Sequence, residues 1–259
     1  MNKNQKEQME CYLKELRLSG IRRQYADLAD RSSKEGLTHE EYLLSVLKEE
    51  CDNRRQRRIE KYLRESRLPL EKTLESFELK RLPSGVSRQI KTLLQGEFID
   101  RRENILAFGN PGSGKTHLLC GLAHELIRRD RRIYFTTCAL LLQDLLKAKK
   151  DLKLARLIKH LDRFEAILID DIGYVQQEKE EMEVLFTLLA ERYEHGSVMI
   201  TSNLPFSKWD NIFKDRMMTA AAVDRIVHHS VILELNIESY RVESARKNRT
   251  KPQMKEKGH

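Results

Sequence analysis

The chain has 259 residues, 40% hydrophobic and 34% charged, with a formal net charge of +8 and a pI near 9.2. That length holds one large domain or a main domain with a small companion. Apolar runs long enough to cross a bilayer are excluded, as is a greasy N-terminal signal. Four scattered cysteines with no C-x-x-C pair exclude a disulfide framework or a structural zinc site, so the chain is expected in the cytoplasm, nucleoid-associated, with a polyanion and no membrane as partner.

Residues 1–68 read as a small all-helical domain punctuated by Gly20 and Gly36. Thr38, with Glu41 three residues later, is a capping box opening a helix that carries Leu43, Leu44, Val46 and Leu47. Farther along it lie Arg54, Arg55, Arg57 and Arg58, without acids inside the cluster. Such a run reads either as a solvated face or as a track for a phosphate backbone. Pro69, Pro83 and Ser84-Gly85 mark a connecting segment into a second domain spanning 69–245.

From Asn104 strand and helix alternate, the pattern of a parallel sheet covered on both faces. Five strands are expected: Asn104 to Phe108, Arg132 to Thr136, Ala166 to Asp170, Val198 to Thr201 and Val231 to Leu235. Behind the first strand stands Gly109-Asn110-Pro111-Gly112-Ser113-Gly114-Lys115-Thr116, which fits G-x-x-x-x-G-K-[ST] and leads into an apolar helix. In this loop backbone N–H groups turn in around a β-phosphate, Lys115 reaches the β/γ-phosphates, Thr116 offers a hydroxyl to Mg²⁺, and the helix N-terminus adds its positive dipole end. The segment Lys147 to Lys153, with Lys149 and Lys150, continues through Arg156, Lys159 and Arg163, while Leu146, Leu152, Leu154, Leu157, Ile158 and Leu161 supply an apolar side. Amphipathic helices with a basic outer face are expected there, either solvated or set against phosphates.

The third strand, expected beside the first, runs into Asp170-Asp171. Asp170 is placed to organise Mg²⁺ at the sheet's C-terminal edge and Asp171 to orient or deprotonate a water. Asn203, past the fourth strand, can hydrogen-bond that water or a γ-phosphate. A helix from about Lys179 to Glu194 is expected to stop at Gly196. Residues 246–259 read as a basic, structureless tail.

In this order the motifs resemble the AAA+ ATPases, and within them the IstB-like helper proteins of bacterial insertion sequences, from about Lys72 to Arg241. The resemblance is carried by Lys72-Thr73-Leu74-Glu75-Ser76-Phe77, the phosphate loop through His117, Ile169-Asp170-Asp171-Ile172-Gly173-Tyr174, Thr201 to Phe206 with Trp209, Asp224 to His229, and Glu238-Ser239-Tyr240-Arg241. It implies an α/β P-loop AAA+ core with an all-helical N-terminal domain. It further implies ATP with Mg²⁺ as cofactors, self-assembly into an ATP-dependent oligomer on duplex DNA, and delivery of the target site to a transposase. Arg225, with Arg216 as the competing choice, matches the arginine finger completing a neighbour's site, and Arg241 the second sensor touching phosphate in its own subunit. The basic segment 147–153 lies where initiator-type relatives carry a DNA-lining element. Most relatives place Glu where this chain has Asp171, one methylene shorter, which implies slow hydrolysis. The alternatives are a helicase loader of the DnaC type, a small-molecule P-loop kinase, and a DNA-binding scaffold with an inactive nucleotide site.

Overall fold

The computed structural model describes residues 2–173, 179–205, 208–209 and 224–240. The chain forms two compact units, Met1–Lys61 and Tyr62–His259.

The first unit is helical: α1 (Lys3–Glu15), α2 (Ser19–Glu35) and α3, which begins at His39 and runs to Ser66. Asn2 and Gln5 close a capping box on α1, and Thr38 and Glu41 close the expected one on α3, Glu41 N donating to Thr38 Oγ1 at 3.3 Å and Thr38 N to Glu41 Oε2 at 2.8 Å. The Thr38 backbone bond holds the Glu41 carboxyl below its ordinary value. Leu13, Ile21 and Val46 form the core. Of the apolar residues expected on α3, only Val46 is buried, whereas Leu43, Leu44 and Leu47 lie open to solvent. Gly20, expected as punctuation, lies in the first turn of α2. There its N–H and that of Ile21 donate to Glu50 Oε2 at 2.6 and 3.1 Å, so a carboxylate from α3 caps a helix that has no side-chain cap of its own.

The second unit continues with α4 (Ser84–Leu93), α5 (Glu97–Asp100), β1 (Asn104–Gly109), α6 (Lys115–Arg128), β2 (Ile133–Thr137), α7 (Cys138–Lys150), α8 (Leu154–Leu161), β3 (Ala166–Ile172), α9 (Lys179–Arg192), β4 (Ser197–Ser202) and β5 (Ser230–Leu235). All five strands pair in parallel, as expected from sequence, and their order is β2-β3-β4-β1-β5. Alternation along the strands explains the two covered faces. Leu106, Phe108, Ile167, Ile169 and Ile200 share one cluster with buried residues of α7, α8 and α9. Ile105, Ala107, Leu168 and Met199, of opposite parity, are completely buried too, as are Leu118, Leu119 and Leu122 of α6. Right-handed crossovers require this split, because β1 to β2 and β2 to β3 move in opposite directions across the sheet.

Three expectations are corrected. β3 does not adjoin β1, since β4 lies between them. Asp170 still reaches the loop after β1 because the ladder with β4 is irregular between Ile169 and Ile172, and Asp171 takes a left-handed φ of 66°, which re-aims the strand end. The chain leaves α9 before Gly196: Glu194 takes the left-handed conformation, with φ 61°. Gly196 lacks a side chain for a different reason, since a Cβ there would collide with the Arg192 guanidinium. Leu152 is not on the apolar side of the α7–α8 pair but 94% exposed in the turn between them.

Arg192 is 2% exposed and ties the lower edge of the sheet together. Its Nη1 donates to Phe164 O at 2.8 Å and Leu161 O at 3.4 Å, and its Nη2 to Ser197 O at 3.0 Å and Glu165 O at 3.1 Å. Burial pulls its pKa down to about 10, with Asp162 at 3.7 Å opposing the shift, so it is charged at neutral pH. No helix of the described residues is long and apolar enough to cross a membrane.

Candidate functional site

The loop 109–114 closes β1 onto α6, and Gly112 and Gly114 sit in it at φ 79° and 93°, where any side chain would strain the backbone. A Cβ on Gly114 would press on the Phe77 ring and one on Gly112 on Ser239, so the loop runs close beneath two other segments. Lys115, the first residue of α6 and 6% exposed, folds back over the loop. Its Nζ donates to Gly109 O at 2.8 Å, Asn110 O at 2.9 Å and Asn203 Oδ1 at 2.7 Å. Three oxygens of formally neutral groups therefore hold an ammonium that a phosphate would hold far more strongly. The Ser113 hydroxyl is buried in the same loop with no hydrogen-bond partner among the described residues.

Two further chains of contacts converge here. Thr116 Oγ1 and Thr201 Oγ1 both donate to Asp170 Oδ1, at 2.7 and 2.6 Å, while Asp171 N donates to Thr201 Oγ1 at 2.8 Å. Asn203 Nδ2 donates to Asp171 Oδ1 at 3.0 Å. One amide thus bridges Lys115 on one side and Asp171 on the other. Parallel strands β1, β3 and β4 make this possible, because their C-terminal ends meet at one edge.

These groups open into a cleft of about 530 Å³, lined also by Phe77, Arg81, Ile237 and Tyr240. Phe77 meets the His117 ring edge-on at 5.3 Å, and His117 Nε2 lies 2.9 Å from Thr73 O and 3.0 Å from Ser76 Oγ. His117 therefore fastens the 73–77 segment over the loop. Across the cleft Tyr240 N donates to Gly112 O at 3.0 Å, and Arg81 lies 5.2 Å from the Tyr240 ring centroid with its Nη2 on Glu238 O. Thr201, Phe77, Arg81 and Tyr240 had no assigned part in the sequence reading. For Thr201 a signal existed, a hydroxyl residue two places before Asn203 at a strand end; the others depend on contacts between segments far apart in the chain.

The structure brings Gly109 to His117, Asp170, Asp171 and Asn203 together. Arg225 is elsewhere. It is exposed and lines a second cleft of about 270 Å³ with Arg101, Arg102, Tyr193 and His229, beside Asn104 and Val198 at the N-terminal ends of β1 and β4. It lies at the sheet edge opposite Lys115. Arg216, Arg241, Tyr174, Phe206 and the tail 246–259 lie outside the described residues.

Among the basic candidates, Arg54, Arg55, Arg57 and Arg58 are all exposed on α3. Arg54 nonetheless pairs with Glu50 at 2.8 Å and Arg57 Nη1 donates to Ser19 Oγ at 2.7 Å, so the cluster has acid and hydroxyl partners outside its own five positions. Lys147, Lys150 and Lys153 point to solvent, and Lys149 pairs with Glu183 at 2.9 Å.

Comparison with known proteins bears on this cleft. A family model described as IstB-like ATP binding protein matches residues 11–248. An insertion-sequence ATP-binding protein of Sinorhizobium fredii is 41% identical, the match covering 90% of this chain and 78% of that protein. A protein of Pseudomonas aeruginosa named for insertion sequence IS21 and ATP binding is 35% identical, with 93% and 91% covered. Among solved structures, AMPPCP-bound DnaA from Aquifex aeolicus superposes with a TM-score of 0.53 at 18% identity over 70% of this chain and 56% of that one. DnaI superposes with a TM-score of 0.55 at 18% identity over 65% and 94%. These two likenesses concern the fold, that of the P-loop AAA+ proteins.

Proposed function

The chain belongs to the IstB-like ATP-binding protein family, and from that premise we propose that it is a transposition helper that binds ATP with Mg²⁺, hydrolyses it slowly, and uses the nucleotide state to assemble on duplex DNA and present a target site to a transposase. The observation that carries this reading is the bridge from Lys115 through Asn203 to Asp171. An amide fixed between a phosphate-seeking ammonium and a carboxylate is set to register a third phosphate.

The residues present fit a magnesium nucleotide. The lone Ser113 hydroxyl stands where a phosphate oxygen would satisfy it, beside the Lys115 ammonium, and Thr116 with Asp170 supplies the hydroxyl and carboxylate oxygens a hard cation takes. When bound, the ion neutralises charge on the β- and γ-phosphates. Lys115 exchanges its carbonyl partners for phosphate oxygens, which is charge-assisted and stronger. Asp171 orients a water and accepts its proton as the water oxygen bonds to Pγ and the bond from Pγ to the bridging oxygen breaks, leaving ADP and phosphate. Asp171 is also held by Asn203 and by its own left-handed backbone, which limits its freedom to follow that water and is consistent with slow turnover. Arg225, at the sheet edge opposite its own Lys115, serves the site of an adjoining copy.

ATP turnover measured with and without duplex DNA tests the reading, together with capture on immobilised cognate transposase. Turnover that responds to DNA and a complex with the transposase are expected. Turnover indifferent to DNA would overturn the reading in favour of a metabolite kinase. Capture by a replicative helicase instead would overturn it in favour of a loader.

A further inference from the structure

The turn joining α7 to α8 carries the most exposed large apolar side chain of the described residues, Leu152 at 94%. Its backbone is left-handed as well, and the six other non-glycine residues in that conformation among those described are all charged. Leu152 N donates to Lys149 O at 3.1 Å and Lys153 N to Ala148 O at 2.7 Å, the paired bonds of a Schellman helix end, with Leu152 at the left-handed position, φ 56°. Glycine or asparagine is the stable choice there, because a Cβ crowds the following carbonyl. Leucine is therefore unfavourable to the folded chain on two independent counts, hydration of its side chain and strain of its backbone.

The surroundings say what would offset both. Residues 147–163 contain seven Lys and Arg against two acids, Asp151 and Asp162. Lys147, Lys150, Lys153 and Arg156 are exposed around the tip, and Lys149 alone of the near lysines is spent on Glu183. Of the other apolar residues of the two helices, Leu141, Leu142, Leu145, Ile158 and Leu161 are buried in the core, and the exposed Leu140 lies in the first turn of α7, at the end of that helix away from the tip. One apolar point ringed by cations offers too little greasy area for a bilayer, whose grip scales with buried apolar surface. It has the chemistry of a side chain that enters between stacked bases while its neighbours hold the flanking phosphates.

We propose that Leu152 is a wedge: it inserts between adjacent base pairs of duplex DNA and kinks it, with Lys147, Lys150, Lys153 and Arg156 on the phosphates at either side. This rests on the duplex-DNA reading above and adds to it a bent, locally unstacked duplex.

The test uses the full chain with a nonhydrolysable ATP analogue and a duplex bearing 2-aminopurine within it and a fluorophore pair at its ends. Binding is followed by anisotropy, unstacking by 2-aminopurine fluorescence and bending by energy transfer. Wild type is expected to bind, raise the 2-aminopurine signal and bring the ends together. Leu152→Gly relieves the backbone strain, so the fold is retained and thermal unfolding is no earlier than in wild type. It is expected to lose the unstacking signal and most of the bend, to bind roughly tenfold more weakly, and to keep the wild-type salt dependence. Leu152→Met is expected to restore unstacking. Lys147, Lys150 and Lys153 replaced together by Ala should instead flatten the salt slope by roughly 0.9 for each lost phosphate contact. Wild-type binding without unstacking, or a Leu152→Gly protein that unstacks normally, overturns the wedge and leaves the DNA reading standing. No duplex binding by wild type overturns both, as does Leu152-dependent binding to anionic phosphatidylserine vesicles in place of duplex.

Discussion

Asn203 occupies the narrowest point of the proposed chemistry, since its single amide touches both Lys115 and Asp171. Asn203→Ala should leave ATP affinity within a few-fold of wild type, because the loop and Lys115 persist, while lowering hydrolysis by about 10²-fold, the size typical of a lost positioning or proton-transfer group. Filter binding and phosphate release measure the two separately, and an equal fall in both would place Asn203 in binding alone. The thiols offer an independent check of burial. Cys11 and Cys51 are exposed, whereas Cys120 and Cys138 are buried and burial pushes the Cys120 thiol up to about 12. A thiol reagent at pH 8 should count two rapid equivalents in the native chain and four after denaturation. At this scale legibility followed spacing. The loop residues and Asp170 lie in short runs whose chemistry is fixed by order along the chain. Thr201 stood two places before Asn203, but a hydroxyl at a strand end does not by itself disclose its bond to Asp170, thirty-one positions away, and Leu152 was misplaced because a helical count ran straight through a turn that breaks the period.

Elements were legible where one side chain type dominates a run, which is why all five strands stand near their expected positions. Their neighbours were not. Strand order is decided by which crossover packs on which face, a matter of the whole sheet, so nothing in the third strand's residues announced that β4 would part it from β1. The end of α9 misled for a related reason. Glycine signals a helix stop only if no bulky group needs its space, and Arg192 needs it. Removing that guanidinium by Arg192→Met strips the carbonyls of Leu161, Phe164, Glu165 and Ser197 of a donor. A loss of about 3–5 kcal/mol is expected, read as a fall of roughly 10 °C in the unfolding midpoint. In the helical unit the corresponding keystone is Glu50. Burial works to raise its pKa, but bonds from Arg54, Ile21 and Gly20 outweigh it and hold the carboxyl below its ordinary 4.5. A lowered carboxylate contributes stability that is complete above the ordinary value and is lost as pH falls through the lowered one. Hydrogen-exchange protection of the Gly20 and Ile21 amides should therefore decline below about pH 4.5, and Glu50→Gln should flatten that dependence.

At the scale of the whole molecule, the separation of Arg225 from Lys115 on opposite sheet edges makes a single chain unable to bring both to one nucleotide. Either Arg225 has no part in hydrolysis or a second copy supplies it, and mixing two defective proteins decides which. Lys115→Ala cannot hold phosphate but keeps its arginine; Arg225→Ala holds ATP but offers no guanidinium to a neighbour. Each alone should fall well below wild type, since an arginine finger contributes about 10³ to 10⁵ in rate. Mixed in equal amounts with duplex DNA, the pair forms some junctions in which an Arg225→Ala copy carries the nucleotide and a Lys115→Ala copy completes it. In a head-to-tail assembly with random placement about a quarter of junctions have that arrangement, so turnover should recover to roughly that fraction of wild type. Recovery that grows with protein concentration and vanishes when the double variant replaces either partner establishes a shared site. A mixture no better than its components, with oligomers demonstrably mixed, removes Arg225 from the chemistry and confines it to the surface it lines with Arg101, Arg102 and His229.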